Sequence, residues 1–163
     1  MAVQGAAGGN QMDITTLNDT NVVNNQLVGG GSAISTNVYA TINNVGGSVG
    51  VSNQALCNGI SVSTDPTYAA TKSDQVCNAS DPAQLTNASV SNVTGDAAIQ
   101  GMSIGNSFEA DSNAPSMPIA NMQTNNAMTV STVNAAVHNI GGATSITSTA
   151  IGNTGQIVHY ATN

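Results

Sequence analysis

Residues 92–106, Asn-Val-Thr-Gly-Asp-Ala-Ala-Ile-Gln-Gly-Met-Ser-Ile-Gly-Asn, recur along the chain and decide how the rest of the sequence is interpreted. Shifted forward by about 47 residues the segment aligns with 139–153, and shifted back by about 48 it aligns with 44–58. A second shift back aligns residues 99–106 with 3–10. The 163-residue chain therefore divides into copies at 1–39 (partial), 40–87, 88–134 and 135–163 (partial).

Within each copy, short runs alternate apolar and polar residues with period two, as in Asn58, Ile60 and Val62. This alternation predicts strands with one buried face. Gly-Gly, Thr-Gly and Gly-Asn pairs interrupt the runs where tight corners are easiest to form. The chain is rich in Thr, Val, Asn, Ser and Gly, which form helices poorly, so we expect no helices. We predict an all-β fold, a repetitive parallel β-solenoid of about 48-residue repeats with loop excursions.

The length of a repeat limits how it winds. A flat two-sided coil of this size needs strands of roughly 20 residues, far beyond the usual 5–6. We therefore expect either two coils of about 24 residues or one coil with an excursion. Proline cannot donate to a strand ladder, and Pro66, Pro82, Pro115 and Pro118 fall where the copies match poorly. We predict loops near 16–33, 64–86 and 112–126.

Equivalent residues in the copies predict which side chains stack on one another. Apolar columns are expected to form the repeat core: Val3, Val51, Ile99 and Ile146; Leu56, Ile104 and Ile151; Ile42, Val90 and Val137. Asn and Gly columns are expected at corners or in stacked-amide ladders: Asn10, Asn58, Asn106 and Asn153; Asn44, Asn92 and Asn139; Gly47, Gly95 and Gly142.

Charge excludes several classes of partner. The chain has one Lys+Arg, eight Asp+Glu and a net charge of −7. Lys72 alone cannot neutralise a run of phosphates, so nucleic acid and anionic membrane surfaces are not expected partners. No apolar run approaches the ~20 residues of a membrane span, and residues 1–5 lack the features of a signal peptide. We expect an extracellular or cell-surface protein whose leader is absent from this sequence.

Cys57 and Cys77 are the two cysteines of the chain. In a secreted protein an even pair is more often a disulfide than a metal or redox site. The alternative is two unrelated buried thiols, because free Cys is itself a well-buried residue type. A bridge between them would belong to one copy and would fix one predicted loop.

Two motifs resemble known secreted proteins. Residues 4–10 and 100–106 are similar to the Gln-x-Gly-x-Gly-Asn core of curlin repeats, and residues 149–153 resemble the Ala-Ile-Gly-Asn segments of bacterial fibre and holdfast-attachment proteins. The resemblance implies an extracellular, curli-like fibre subunit, a functional amyloid that takes part in adhesion or biofilm. Curlin repeats are shorter, and their Gln-to-Asn spacing differs from that found here.

The sequence favours a structural function. His138 and His159 have no neighbours at zinc-ligand spacing, and no nucleophile-elbow motif accompanies the many serines. We expect no enzymatic activity, catalytic residue, metal or cofactor. An uncapped solenoid end is a template for another chain, so we expect end-to-end self-assembly, or else a segment of a longer array. Other cell-surface or matrix proteins and polysaccharide are further expected partners. The alternative function is a ligand-binding solenoid that presents Thr and Asn arrays to carbohydrate or ice.

Overall fold

The computed structural model describes residues 1–65 and 68–160, and these residues form strands without any helix. The predicted all-β class is confirmed. Ten strands are described: β1 (Ala2–Thr16), β2 (Thr20–Val28), β3 (Ala33–Val45), β4 (Val49–Thr64), β5 (Ala69–Cys77), β6 (Ser80–Val93), β7 (Ala97–Ser112), β8 (Ile119–Asn125), β9 (Val130–Ile140) and β10 (Thr144–His159).

The strands pair in three parallel sheets, and each strand pairs with the third strand after it. Sheet A has the order β1-β4-β7-β10, sheet B β2-β5-β8 and sheet C β3-β6-β9. We call three consecutive strands a triplet, so that β1–β3, β4–β6 and β7–β9 are the first, second and third triplets. Parallel pairing, predicted from the repeat, is confirmed.

The register of sheet A agrees with the alignment of the sequence on itself. Val3 pairs with Val51, Val51 with Ile99, and Ile99 with Ile146. One repeat therefore corresponds to one triplet, and no strand in residues 1–65 and 68–160 pairs with a strand half a repeat away. The expected arrangement of two coils of about 24 residues is wrong. In the alternative, one coil with an excursion, the excursion is wrong, because strands occupy those segments.

Each triplet avoids overlong strands because one of its two sides is divided between two strands. Within the second triplet, β4 is a single 16-residue strand, and the opposite side is divided between β5 and β6. Asn58 Nδ2 donates to the Val76 carbonyl across the interior, and Asn53 Nδ2 donates to that of Leu85. Sheet A therefore faces sheets B and C as two layers with the core between them.

The predicted loops contain strands. β2 lies inside 16–33, β5 and the start of β6 lie inside 64–86, and β8 lies inside 112–126. Burial alternates strictly along β2 and β5, which shows that the period-two pattern continues through these segments. Their side chains differ between copies while their backbones stack, so comparison of the copies alone did not reveal them.

The prolines explain part of that error. Pro66 lies outside the described residues, whereas Pro115 and Pro118 lie between β7 and β8. Pro82 is buried within β6, where the register with β3 shifts between Ala33 and Ser35. A local irregularity of this kind removes the need for a ladder N–H, so proline can enter even a central strand.

The core consists of small and β-branched side chains. Val51, Ile99 and Val90 are at most 1% exposed, and they pack with the predicted core residues Ile42 and Val137 between sheets A and C. Val3 packs against the same cluster from β1, whereas Ile146 on β10 is 50% exposed. A second cluster surrounds the cysteines, and a third surrounds Phe108 between sheets A and B.

One predicted core column lies on the outward face of sheet A. Ala55 and Cys57 are both fully buried, so Leu56 between them points outward. Ile104 and Ile151 stack beside it on β7 and β10, and Ile104, which lies between the other two, is nevertheless buried at 6% exposure. The error arises because Cys57 and Asn58 both point inward, which changes the phase of the alternation in mid-strand.

The corner before β4, β7 and β10 has a repeated backbone conformation. Asn44, Asn92 and Asn139 adopt positive φ angles of 59°, 53° and 55°. Asparagine tolerates this left-handed region better than most residues. Three residues later, the Gly95 N–H donates to the Gly47 carbonyl at 3.2 Å, and the Gly142 N–H donates to that of Gly95 at 3.0 Å.

Substitution of Gly95 tests whether the corners must stack closely on one another. A Cβ there would lie 2.8 Å from Gly47 C and from Ser48 N, whereas a Cβ at Gly46 would meet nothing within 4 Å. We expect Gly95→Ala to lower the free energy of unfolding by about 1–3 kcal/mol through overpacking. Gly46→Ala should be nearly neutral. Urea unfolding of both variants measures the difference, and equal losses would contradict close stacking at the corner.

Candidate functional site

The most regular polar feature of the interior is a ladder of asparagine side chains along sheet A. Asn10 Nδ2 donates to Asn58 Oδ1 at 3.0 Å, Asn58 to Asn106 at 2.8 Å, and Asn106 to Asn153 at 2.8 Å. Asn58 and Asn106 are 0% exposed. These residues lie in the middle of long strands, so of the two predicted roles the structure gives them the ladder and not the corner.

Each ladder asparagine also joins the two layers. The same Nδ2 atoms donate to backbone carbonyls of sheet B, from Asn58 to Val76 at 3.0 Å and from Asn106 to Thr124 at 2.9 Å. Both amide hydrogens and the amide oxygen of Asn58 and Asn106 are thereby engaged. Satisfied buried amides of this kind specify one register, because a slipped strand would leave them without partners.

A second ladder, of glutamines in sheet B, was missed by the sequence analysis. Gln75 Nε2 donates to Gln26 Oε1 and Gln123 Nε2 donates to Gln75 Oε1, both at 2.9 Å. Each Nε2 also donates to a sheet A carbonyl, as Gln75 does to Ser107 at 3.0 Å. The signal was present, because these glutamines recur at the repeat spacing, but they lie in segments that were predicted as loops.

The two ladders run in opposite directions along the stack. In the asparagine ladder each donor lies on the earlier strand, and in the glutamine ladder each donor lies on the later strand. At one end the ladders finish with the acceptor Asn10 Oδ1 and the donor Gln26 Nε2. At the other end they finish with the donor Asn153 Nδ2 and the acceptor Gln123 Oε1. The two ends are therefore complementary.

A shorter amide ladder marks the corner. Asn139 Nδ2 donates to Asn92 Oδ1 at 2.7 Å, and Asn92 Nδ2 donates to Asn43 Oδ1 at 2.8 Å. The predicted corner column of Asn44, Asn92 and Asn139 is thus brought together, with Asn43 in place of Asn44 as the last acceptor. These side chains are exposed, so their contribution to stability is smaller than that of the buried ladders.

The structure joins Cys57 and Cys77 in a disulfide, with their Cα atoms 6.0 Å apart. Both residues are fully buried, and the bond connects sheet A to sheet B within the second triplet. The residues that pair with Cys77 on the neighbouring strands are Val28 and Asn125. The disulfide therefore belongs to one triplet.

The outer strands carry unshared backbone groups. In residues 1–65 and 68–160, no strand pairs with the outer edges of β1, β2 and β3, or with those of β8, β9 and β10. Ile146 and Ile157 of β10 are 50% and 56% exposed, whereas their neighbours in the ladder, Ile99 and Ala110, are 0% exposed. These isoleucines are core residues with nothing stacked on them in the described chain.

The ionisable side chains are dispersed. His138 is exposed on β9, and His159 on β10 bonds through Nε2 to the Ala114 carbonyl. Within the described residues, no group of three His, Cys, Asp or Glu side chains is placed to hold a metal ion. No helix in that part of the chain is long and apolar enough to cross a membrane.

The outward face of sheet C has a shallow groove. Its lining includes Tyr39, Thr41, Asn87, Ser89, Asn134 and Ala136. Tyr39 is 71% exposed, and Asn134 Nδ2 donates to Asn87 Oδ1 at 3.0 Å.

On sheet A, the observed register places Thr147 beside Gln100, which is next to Ser52, so threonine does not repeat in that column.

Replacing Asn106 tests the buried ladder. Asn106→Ala leaves Asn58 Nδ2, Asn153 Oδ1 and the Thr124 carbonyl without this partner. We expect a loss of roughly 2–4 kcal/mol in the free energy of unfolding. The matched control is Asn134→Ala in the exposed pair with Asn87, for which we expect less than about 1 kcal/mol. If denaturant unfolding gave the same loss of unfolding free energy for both variants, burial would not determine how much an amide pair stabilises the fold.

Removing the disulfide tests its contribution to the fold. The double substitution Cys57→Ala and Cys77→Ala opens a bond between residues 20 apart in sequence. We expect the free energy of unfolding to fall by about 3 kcal/mol, because the unfolded chain regains entropy. Reduction of the unmodified protein should shift the denaturation midpoint in the same direction. An unchanged midpoint in both experiments would show that no bond had formed.

Comparison with known families identifies one match. The model of holdfast attachment protein D (HfaD) matches residues 1–162. No curated protein and no solved structure matches the chain. The match confirms the resemblance to holdfast-attachment proteins that residues 149–153 indicated, whereas the resemblance to curlin repeats gains no support from these comparisons. Because the match covers nearly the whole sequence, the chain belongs to the holdfast attachment protein D family.

Proposed function

We propose that the protein is a non-enzymatic β-solenoid that serves as a structural component of surface attachment at a holdfast. The family match over residues 1–162 is the observation that carries this proposal. A holdfast attachment role implies adhesion, biofilm formation and a place at the cell surface.

The way in which the triplets connect supports the proposed solenoid. Each triplet crosses sheet A once and returns through sheets B and C before the chain re-enters sheet A one strand further on. Side chains at equivalent positions stack on one another, as Asn58 does on Asn106. An extended stack held by backbone ladders and two buried amide columns is suited to bearing load along its axis.

An extracellular location fits the chemistry of the chain. The Cys57–Cys77 disulfide requires an oxidising compartment in most organisms. The surface carries few charges, with a net charge of −7 and Lys72 as the one Lys or Arg side chain in the sequence. Nucleic acid and membrane insertion therefore remain outside the proposal, and no cofactor is proposed.

The proposed partner is another copy of the chain. Strand edges with free N–H and C=O groups pair readily with further strands. The ladder ends are complementary, because Asn153 offers a donor and Asn10 an acceptor, while Gln123 offers an acceptor and Gln26 a donor. We propose that copies join end to end into a fibre, with β10, β8 and β9 at one end and β1, β2 and β3 at the other.

The second candidate function is ligand binding. The groove on sheet C presents amides and hydroxyls beside the exposed Tyr39 ring, a combination that suits a carbohydrate. Ice binding has less support, because a flat threonine column is absent at Thr147, Gln100 and Ser52. The two functions are compatible, since the groove lies on a lateral face and the proposed joint lies at the ends.

Electron microscopy of the concentrated protein tests assembly. We expect unbranched filaments whose fibre diffraction has a reflection at about 4.8 Å along the axis, because strands would stack in that direction. The net charge of −7 makes copies repel one another, so added salt should speed assembly. A monomeric fraction imaged beside the filaments is the control. Monomers that persist at all concentrations would refute end-to-end assembly and favour the ligand-binding function.

A further inference from the structure

Within residues 1–65 and 68–160, the strand count sets a geometric problem for a joint between two copies of this 163-residue sequence. Sheet A contains four described strands, whereas sheets B and C contain three each. β10 pairs with β7 as β7 pairs with β4, so it is the first strand of a fourth triplet. β8 and β9 therefore lie one strand layer short of β10.

Simple stacking of one copy on another leaves a gap. If β1 of the next copy paired with β10, sheet A would continue, but a space of one strand would remain between β8 and the next β2, and between β9 and the next β3. The backbone groups facing that space would have no strand partner inside the joint. Buried backbone groups without partners are costly, so this arrangement is unfavourable.

The gap closes if sheets B and C join directly. The next β2 then pairs with β8 and the next β3 pairs with β9. In this arrangement β10 of the first copy and β1 of the next copy require the same position, on the edge of β4 in the next copy. One of the two strands must leave.

We propose that copies join by strand exchange: β10 of one copy replaces β1 of the next copy and pairs with the edge of that next copy's β4. This inference rests on the proposed end-to-end assembly and specifies its partner as a second copy of the chain. Each joint then continues all three sheets without a break, and the displaced β1 becomes a free segment beside it.

Composition favours β10 over β1 for that edge. β10 contains eight β-branched residues and β1 contains four. β1 contains six Gly and Ala residues against three in β10. β-branched residues favour strands, and glycine loses more entropy than other residues when a strand forms. β10 should therefore bind the edge of β4 more tightly than β1 does.

The side chains of β10 fit the site that β1 occupies. In the register of β1, Ile146 would lie beside Val51 and Ile157 beside Val62 of the next copy. Both isoleucines, now about half exposed, would then be covered on their second side. Asn153 would replace Asn10 as the donor to Asn58, so the asparagine ladder would keep its direction across the joint.

Sheets B and C fit at the same time. Gln26 of the next copy would donate to Gln123, as Gln75 now donates to Gln26. At the corner, the Gly47 N–H of the next copy would donate to the Gly142 carbonyl, as Gly142 now does to Gly95. A Cβ at Gly47 meets nothing within 4 Å in one copy, which leaves room for this approach.

Pairs of engineered cysteines on the outward face of sheet A distinguish the two joints. Strand exchange places Thr147 beside Ser52 of the next copy, whereas simple stacking places it beside Gln4. Within one copy, Ser52 and Thr147 are separated by Gln100 on β7, a distance of about 9.6 Å across two strand spacings. This separation is too large for a disulfide, so any bond must join two copies.

The experiment compares two double variants of the full chain, Thr147→Cys with Ser52→Cys and Thr147→Cys with Gln4→Cys. Both are assembled, oxidised mildly and run on non-reducing gels. We expect the first variant to lose its monomer band rapidly and form a ladder of covalent oligomers. The second variant should crosslink more slowly and incompletely, because position 4 would lie on the displaced segment and not in register beside position 147. An equal mixture of the single variants Thr147→Cys and Ser52→Cys should stop at covalent dimers, which confirms the pairing.

Other outcomes overturn the inference in distinguishable ways. Oligomers from the Gln4 variant alone would establish simple stacking and overturn strand exchange, while end-to-end assembly would stand. Filaments in which neither variant crosslinks would also overturn strand exchange. Absence of filaments from the unmodified chain and from both variants would overturn end-to-end assembly itself. Electron microscopy of each variant, and comparison of its unfolding transition with that of the unmodified chain, show whether the substitutions have disturbed the fold.

Discussion

In-register stacking of equivalent residues is the constraint on which the rest of the structure depends. Parallel pairing of each strand with the third strand after it places every residue above its counterpart in the next repeat. Stacked amide side chains can then be buried in the core because each carries a donor and an acceptor and bonds to its own counterpart. Asn58 and Asn106 satisfy this condition at 0% exposure, and Gln75 satisfies it in sheet B. Small side chains fill the remaining interior, which explains a core almost without aromatic residues.

The same constraint connects fold and function. A stack whose polar columns run in opposite directions has two different, complementary ends, and in the proposed assembly this polarity makes all copies point in the same direction. In that assembly the low surface charge would limit lateral attraction between stacks, so that copies join at their ends. The disulfide between Cys57 and Cys77 locks sheets A and B together in the middle of the chain, away from both ends. These features are compatible with the proposed structural role of a holdfast attachment family member.

Sequence periodicity was sufficient to predict the strands of sheet A and their register, because Asn, Gly and β-branched residues recur there with little variation. It failed in sheet B, where the column of Val28, Cys77 and Asn125 contains three chemically different residues. Apart from the recurring glutamines, few columns of sheet B keep the same residue from copy to copy, so alignment of the copies gave a weak signal there. Leu56 was assigned to the core because nothing in the sequence reveals that Cys57 and Asn58 both point inward. The glutamine ladder was missed for the same reason as its strands, since the prolines nearby indicated loops.

The fold depends on each repeat making a single circuit of three strands. Paired spin labels on the outward positions Gln4 and Thr147 of the monomer measure this, because these residues lie on β1 and β10 in the same column of sheet A. We expect a separation near three strand spacings, about 14 Å, before allowance for the label side chains. A separation near six spacings, about 29 Å, would instead mean two coils in each repeat and would rule out the single circuit.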